Sequence, residues 1–398
     1  MNRDDFPMLN NDIIYLDNGA TTFKPNCVIT KMVDYYSNYC ANAHRGDYDI
    51  SYKVDLEYEE TRNVIKDFIN AKEREEIIFT SGTTDGINMI AEGFFKNFLE
   101  KSDEILITES EHASNTMPWF ELANVTGCSV NYIPLDESFH VTLENVKKSI
   151  TKNTKLISLA HITNVIGDLR PIKEITQFAH EHDIFVVLDA AQSMPHKKID
   201  VIDLDVDFLV ASAHKMCGPT GVGILYGKIN LLEELKPVRL GGGMNESFLN
   251  PSNMFYKDLP FRLEAGTPNI AGVLGFKEAV KYLDNIGIDE ITHRELNLRK
   301  YLIDKLILIP HIDIINIEAD SAIVSFNVDG YTPQDIAYYL NNYNVALRAG
   351  NHCAKNLSNA TKVNTTLRVS LYFYNNEHEI DVLVELLKDK EKLDREIL

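Results

Sequence analysis

Short apolar runs separated by stretches of helical periodicity fill the first two-thirds of this 398-residue chain. Runs at 76–80, 104–108, 130–135, 156–161, 184–189, 207–212 and 222–226 predict strands, and helical spacing covers about 84–99 and 172–182. Strand and helix alternating at this interval predict an α/β fold with a largely parallel sheet covered on both faces. Ligands of such sheets sit at the carboxyl ends of the strands. The alternation stops between Arg239 and Thr267, where Gly241-Gly242-Gly243 leads into polar and aromatic residues. That segment reads as a long functional loop, followed by a domain-linking helix from about 270. Beyond about 290 the order is helix, strand (322–328), helix (333–343), loop and strand (366–371), then helix (377–390), which predicts a smaller α+β domain.

Composition narrows the function classes. Hydrophobic content of 44% and charged content of 25% are those of an ordinary globular protein. A net charge of −20 argues against a nucleic-acid partner. No apolar run approaches the roughly 20 residues that span a bilayer, so no membrane role is expected. Cys27, Cys40, Cys128, Cys217 and Cys353 are scattered without CxxC spacing, which predicts neither a disulfide framework nor a metal site. The first residues carry no apolar stretch of the secretory kind, and a cytoplasmic location is the expectation.

Candidate chemistry gathers at the predicted strand ends. Ser212-Ala213-His214-Lys215 follows one apolar run, and Asp189-Ala190-Ala191-Gln192 closes another. A lysine and a buried carboxylate so placed suit pyridoxal phosphate (PLP): the amine forms a Schiff base, and the carboxylate keeps the pyridine nitrogen protonated. The turn Ser81-Gly82-Thr83-Thr84 opens a helix whose free N–H groups suit a phosphate, although threonine serves equally as a plain N-cap. Ser212 and His214 are further candidate phosphate donors. His112 stands just past the 104–108 run, where an imidazole can stack on a planar cofactor and move protons, or simply face solvent. Asn164 and Gln192 are candidate amide contacts or loop structure. Arg368 is a lone charge in an apolar strand, needing either a substrate carboxylate or an internal partner. Cys353 lies in Arg348-Ala-Gly-Asn-His352-Cys353-Ala-Lys355, where histidine and two cations would raise the thiolate fraction. The alternative is an unreactive cysteine. Cys217, in a Gly-Pro loop, reads as structural.

Taken together, these residues resemble the class V aminotransferase family of fold-type I PLP enzymes, and most of all its group II (Suf-type) cysteine desulfurases. The likeness runs from Tyr15-Leu-Asp-Asn-Gly-Ala-Thr-Thr22 to Leu367-Arg368-Val-Ser-Leu371. It includes Ala43-His44-Arg45-Gly46, Gly82-Thr83-Thr84-Asp85-Gly86, Leu188-Asp189-Ala-Ala-Gln192, His214-Lys215-Met-Cys-Gly-Pro-Thr-Gly221 and Arg262-Leu-Glu-Ala-Gly-Thr-Pro268, in order. The chain departs from the pattern at Asn351, where a second histidine is usual.

The resemblance implies a large domain with a mostly parallel seven-stranded sheet (26–268), a smaller α+β C-terminal domain (269–398) and an N-terminal segment (1–25) packing on the latter. It implies that Lys215 carries the cofactor and shuttles protons. Asp189 would hold the pyridine nitrogen, Gln192 the ring hydroxyl and His112 the ring face. Thr84, Ser212 and His214 would hold the phosphate, with Thr83 nearby and Thr267 reaching the phosphate of a neighbouring subunit. Asn164 and Arg368, with Arg348, His44 and Arg45, would bind substrate. A homodimer with shared active sites follows by the same likeness. The implied reaction converts L-cysteine to L-alanine and leaves a persulfide on Cys353, which passes to a sulfur acceptor protein for iron–sulfur clusters or another sulfur product. A selenocysteine lyase, a C–S lyase or a pathway-specific aminotransferase or epimerase is the alternative within the family.

Overall fold

The computed structural model describes residues 2–44 and 46–397. Seven strands form the main sheet: β1 (Ile77–Thr80), β2 (Glu104–Thr108), β3 (Ser129–Ile133), β4 (Thr154–Ala160), β5 (Phe185–Asp189), β6 (Phe208–Ser212) and β7 (Gly223–Gly227). Their spatial order is β1-β7-β6-β5-β4-β2-β3. The pairs β2/β3, β2/β4, β4/β5 and β5/β6 are parallel. Only β7 is reversed, pairing antiparallel with both β6 and β1. The mostly parallel seven-stranded sheet implied by the sequence is therefore present.

Burial on both faces explains the continuous apolar runs. Along each central strand, neighbouring residues feed opposite sides of the sheet. Leu106, Ile157, Leu188 and Leu209 enter one core. Ile105, Leu156, Val187 and Val210 enter the other. The helix expected over 84–99 is one continuous element with a wide turn, running Thr83–Ile90, Ala91–Phe95 and Lys96–Phe98.

A second sheet contains β8 (Ile312–Ile314), β9 (Ile323–Val328), β10 (Arg348–Gly350) and β11 (Thr366–Ser370), in order β8-β9-β11-β10 and antiparallel throughout. Its own apolar core takes Leu298 and Leu302 from the helix Ile288–Leu306, and Ile380, Leu383 and Leu387 from the helix Glu377–Lys388. The N-terminal segment adds a short parallel pairing of Ile14–Tyr15 with Val345–Ala346. Asp17 then bridges to Ser370.

The segment Arg239–Thr267, read from sequence as a loop, contains a hairpin of Asn245–Asn250 with Asn253–Tyr256. Its side chains are mostly exposed on both faces, so it lacks the alternation that marks a half-buried strand. Among the described residues no helix is long and apolar enough to cross a membrane.

Candidate active site

The carboxyl ends of β1, β2, β4, β5 and β6 meet the edge of the second sheet around one cavity. Thr83, Thr84, His112, Ser114, Asn164 and Asp189 line it, with Gln192, Ser212, His214, Lys215, Arg348, His352 and Arg368 completing the polar wall. Sequence reasoning located most of these residues but missed Ser114, whose hydroxyl meets that of Thr84 at 2.7 Å.

Asp189 ends β5. Its Oδ1 accepts from the Ala191 amide at 2.9 Å. Burial pushes its carboxyl up to about 6, against the pull of Lys215. The same burial brings the Lys215 amine down to about 8, although Asp189 opposes it; Arg368 and Arg348 add to the lowering. An acid and an amine are thus held where each resists its charge. Gln192 donates to the Gly19 carbonyl at 2.9 Å.

At the opening of the helix Thr83–Ile90, Gly82 has φ of +146°, a conformation available to glycine. The Ser212 hydroxyl accepts from the Thr83 amide at 2.8 Å and meets the Thr83 hydroxyl at the same distance. Ser212 is therefore already engaged with the helix end. Burial pulls His214 down to about 4, with Lys215 and Lys24 adding to it.

His112 accepts at Nδ1 from the Ser114 amide at 3.1 Å. Burial first, then the charges of Lys215, Arg348 and Arg368, bring it down to about 4, so its ring is neutral at pH 7. The preceding residue anchors it. Glu111 is fully buried and paired with Arg170. It also accepts from the Ala160 amide at 2.8 Å and Asn115 at 2.7 Å. Arg170 reaches Asp168 at 3.1 Å, Ser110 at 2.7 Å and Thr108 at 3.0 Å. Sequence spacing gave no signal for this node.

Opposite the lysine, Arg368 on β11 is 1% exposed. Its Nη2 pairs with Asp17 at 2.6 Å and its Nη1 donates to the Asn164 carbonyl at 3.0 Å, while Nε is buried without a partner among the described residues. The internal partner weighed from sequence thus exists. Arg348 stands directly across from Arg368 in the β10/β11 register. Two guanidinium groups and one carboxylate leave one uncompensated positive charge at the cavity wall, which suits a carboxylate ligand. The Asn164 side-chain oxygen is also buried and, among the described residues, unpaired.

Cys353 is exposed at the rim rather than in the cavity wall. Its carbonyl accepts from the Ala113 amide at 2.7 Å, and its amide donates to Asn351 at 3.2 Å. His352 and Cys353 both have positive φ, 52° and 59°. The expectation that His352 supplies charge to the thiol is corrected. Burial brings it down to about 3, so it is neutral, and its Nε2 lies 2.9 Å from the Thr366 hydroxyl.

Two further expected residues, Thr267 and His44, are not brought to this cavity within the chain. Thr267 lines a neighbouring cavity with Ser81, Arg239 and Glu264. His44 faces Glu59 at 3.3 Å. Arg45 lies outside the described residues. Cys217 is buried, with its amide donating to the Thr22 hydroxyl at 2.8 Å.

The family model for class-V aminotransferases matches residues 14–383. A probable cysteine desulfurase of Halalkalibacterium halodurans is 41% identical over 392 residues, which is 97% of this chain and 96% of that protein. The crystal structure of the cysteine desulfurase CsdA (S-sulfonic acid) from Escherichia coli aligns with a TM-score of 0.93 and 32% identity, over 100% of this chain and 98% of that one. A C-DES mutant with glycine covalently linked to its PLP cofactor aligns at 0.84 over 98% of this chain and 99% of that one. At 21% identity that last likeness is one of fold alone.

Proposed function

The chain belongs to the class-V aminotransferase family, with its PLP-dependent fold-type I architecture, and is a cysteine desulfurase; we propose that it holds PLP between Lys215 and Asp189 and collects sulfur on Cys353. The observation that carries this reading is the meeting of Asp189, Lys215, Arg348 and Arg368 in one cavity with Cys353 tied to its rim.

The donor set fits the cofactor. Asp189 is a buried carboxylate at a strand end with no cation hydrogen-bonded to it among the described residues, as a pyridinium partner requires. Thr84, Ser114 and His214 face the cavity beside a helix N-terminus, as a phosphate requires. Lys215 would hold PLP through Nζ, Asp189 its ring nitrogen, Gln192 its ring hydroxyl and His112 its face. When bound, PLP supplies an electron sink for negative charge at the substrate Cα.

The chain's own residues do the rest. Arg368, Arg348 and Asn164 grip the carboxylate of L-cysteine and orient its Cα–H. Lys215, with its amine lowered to about 8, keeps a useful neutral fraction at physiological pH and takes the Cα proton at Nζ. The Cys353 thiolate then attacks the substrate sulfur. A new S–S bond forms as the Cβ–S bond breaks. Its electron pair stays with the carbon side, which is reprotonated and leaves as L-alanine. In sum, L-cysteine and the Cys353 thiol become L-alanine and a Cys353 persulfide. The exposed rim position of Cys353 suits delivery of that sulfur to a cytoplasmic acceptor protein serving iron–sulfur cluster assembly or a related need.

A homodimer with shared sites is part of the proposal. Thr267 and His44 stand outside their own chain's cavity, where a second copy can use them. The decisive experiment is mass spectrometry after incubation with L-cysteine. One extra sulfur atom on the Cys353 peptide is expected; sulfur on another peptide, or none with alanine still formed, overturns the reading.

A further inference from the structure

One backbone oxygen beside the reactive lysine is crowded with donors. The carbonyl of His214, the residue before Lys215, accepts from the Thr22 amide at 3.0 Å. It also accepts from the hydroxyls of Thr21 and Thr22, each at 3.1 Å, and from Lys24 Nζ at 3.3 Å. Lys24 further donates to the Thr21 hydroxyl at 3.1 Å and to the Thr22 carbonyl. The Thr22 hydroxyl accepts in turn from the Cys217 amide at 2.8 Å, on the far side of Lys215. Thr22 therefore grips the lysine turn at both ends.

The same segment is fixed behind. Tyr15 donates its hydroxyl to the Thr21 carbonyl at 2.9 Å, and the Phe23 amide donates to the Tyr374 hydroxyl at 3.0 Å. The turn's own backbone bonds gather on Ala213, whose carbonyl accepts from the Gly218 amide at 2.9 Å and whose amide donates to the Val222 carbonyl at 3.0 Å. Ala213–Lys215 is a single 3₁₀ turn whose cap bond runs from the Met216 amide to the Ala213 carbonyl. A lysine on so short a turn swings with small changes in its backbone, and an error near 1 Å in a reacting group costs on the order of a hundredfold in rate.

We propose that Thr22 and Lys24 are positioning residues that hold the Lys215 amine at its depth in the cavity. The inference rests on Lys215 being the reactive lysine. The lowering of that amine comes from burial, so release of the clamp lets it relax towards the ordinary lysine range.

The test uses Thr22→Val and Lys24→Met, with Thr22→Ser and Lys24→Arg as conservative partners. Apo-protein is reductively methylated with formaldehyde and borohydride across pH 6–11, and Lys215 labelling is read by mass spectrometry. In Thr22→Val and Lys24→Met the midpoint for Lys215 shifts upward by half a pH unit or more. The midpoints of Thr22→Ser and Lys24→Arg stay with the parent. In holo-protein, kcat falls about tenfold or more while KM for L-cysteine moves little, the split expected when a proton-transfer group rather than a substrate contact is displaced. An unchanged labelling profile in both Thr22→Val and Lys24→Met overturns the inference. So does an equal effect from the conservative pair, or, if Lys24→Met does not fold, an unchanged profile in Thr22→Val alone. Failure of the underlying reading is separate: borohydride reduction of the PLP-loaded parent would then leave the cofactor on a lysine other than Lys215.

Discussion

The carbonyl of Cys353 accepts a hydrogen bond from the Ala113 amide at 2.7 Å, so the exposed thiol and the ring of His112 share one anchor point. The thiol sits on a loop held to the cavity by its backbone, while its side chain makes no hydrogen bond among the described residues. Asn164 adds a second tie, donating to the His352 carbonyl at 2.7 Å.

Cys353→Ser is therefore expected to keep the fold, the backbone ties and the cofactor absorbance, and to lose persulfide and alanine formation from L-cysteine. Alanine release and absorbance spectra check this together. Full desulfuration by the variant would remove Cys353 from the mechanism.

Loss of the carboxylate grip should appear in KM. Arg368→Lys cannot reproduce the planar fork, and hydrogen bonds to a charged group are worth about 1.5–3 kcal/mol, so KM for L-cysteine rises about ten- to a hundredfold. Arg348→Ala raises KM without lowering the thermal midpoint, because the Arg348 guanidinium has no hydrogen-bond or ion-pair partner among the described residues. Steady-state kinetics with calorimetry distinguishes the two.

The Glu111–Arg170 pair behind His112 is fully buried, and removal of one partner strands the other charge. Arg170→Met should cost about 3–5 kcal/mol of stability. It should also displace His112 and shift the absorbance band of bound cofactor. Chemical denaturation measures the first effect and the holo-protein spectrum the second.

Asp189 gives the apo-protein a pH signature. Its carboxyl titrates near 6 in the fold against 3.8 ordinarily, because burial disfavours the charged form. A raised acid contributes stability that is complete below its unfolded value and lost as pH rises through the folded one. Between about pH 4 and 6 the apo-protein should lose on the order of 3 kcal/mol from this group. Asp189→Asn abolishes that loss. Bound PLP should offset it, widening the gap between apo and holo thermal midpoints as pH rises.

The sequence makes the framework visible where burial is continuous. The run Glu104–Thr108 coincides with β2, and the ends of β5 and β6 deliver Asp189 and the Lys215 turn where apolar patterning places them. Contacts between distant positions are invisible to that patterning. The pairing of Arg368 with Asp17 spans 351 residues, and Glu111 with Arg170 spans 59. Local context misleads at His352: an imidazole beside a cysteine suggests charge, but burial, with Arg368 adding to it, keeps the ring neutral even though its contact with Thr366 favours the charged form. The hairpin at Asn245–Tyr256 escapes because a strand exposed on both faces has no apolar period to detect.

The reversal of β7 bears on the order in which the site is assembled. Ser212 pairs with Gly223 and Phe208 with Gly227, so the lysine turn is the loop of a local antiparallel hairpin. Such a unit closes cheaply, since few residues separate its partners. The Thr21–Lys24 clamp must cross 190 residues to reach it. A folding chain can thus shape the anchor early and close the clamp on it later, so that cofactor capture reports on completion of the long-range contacts.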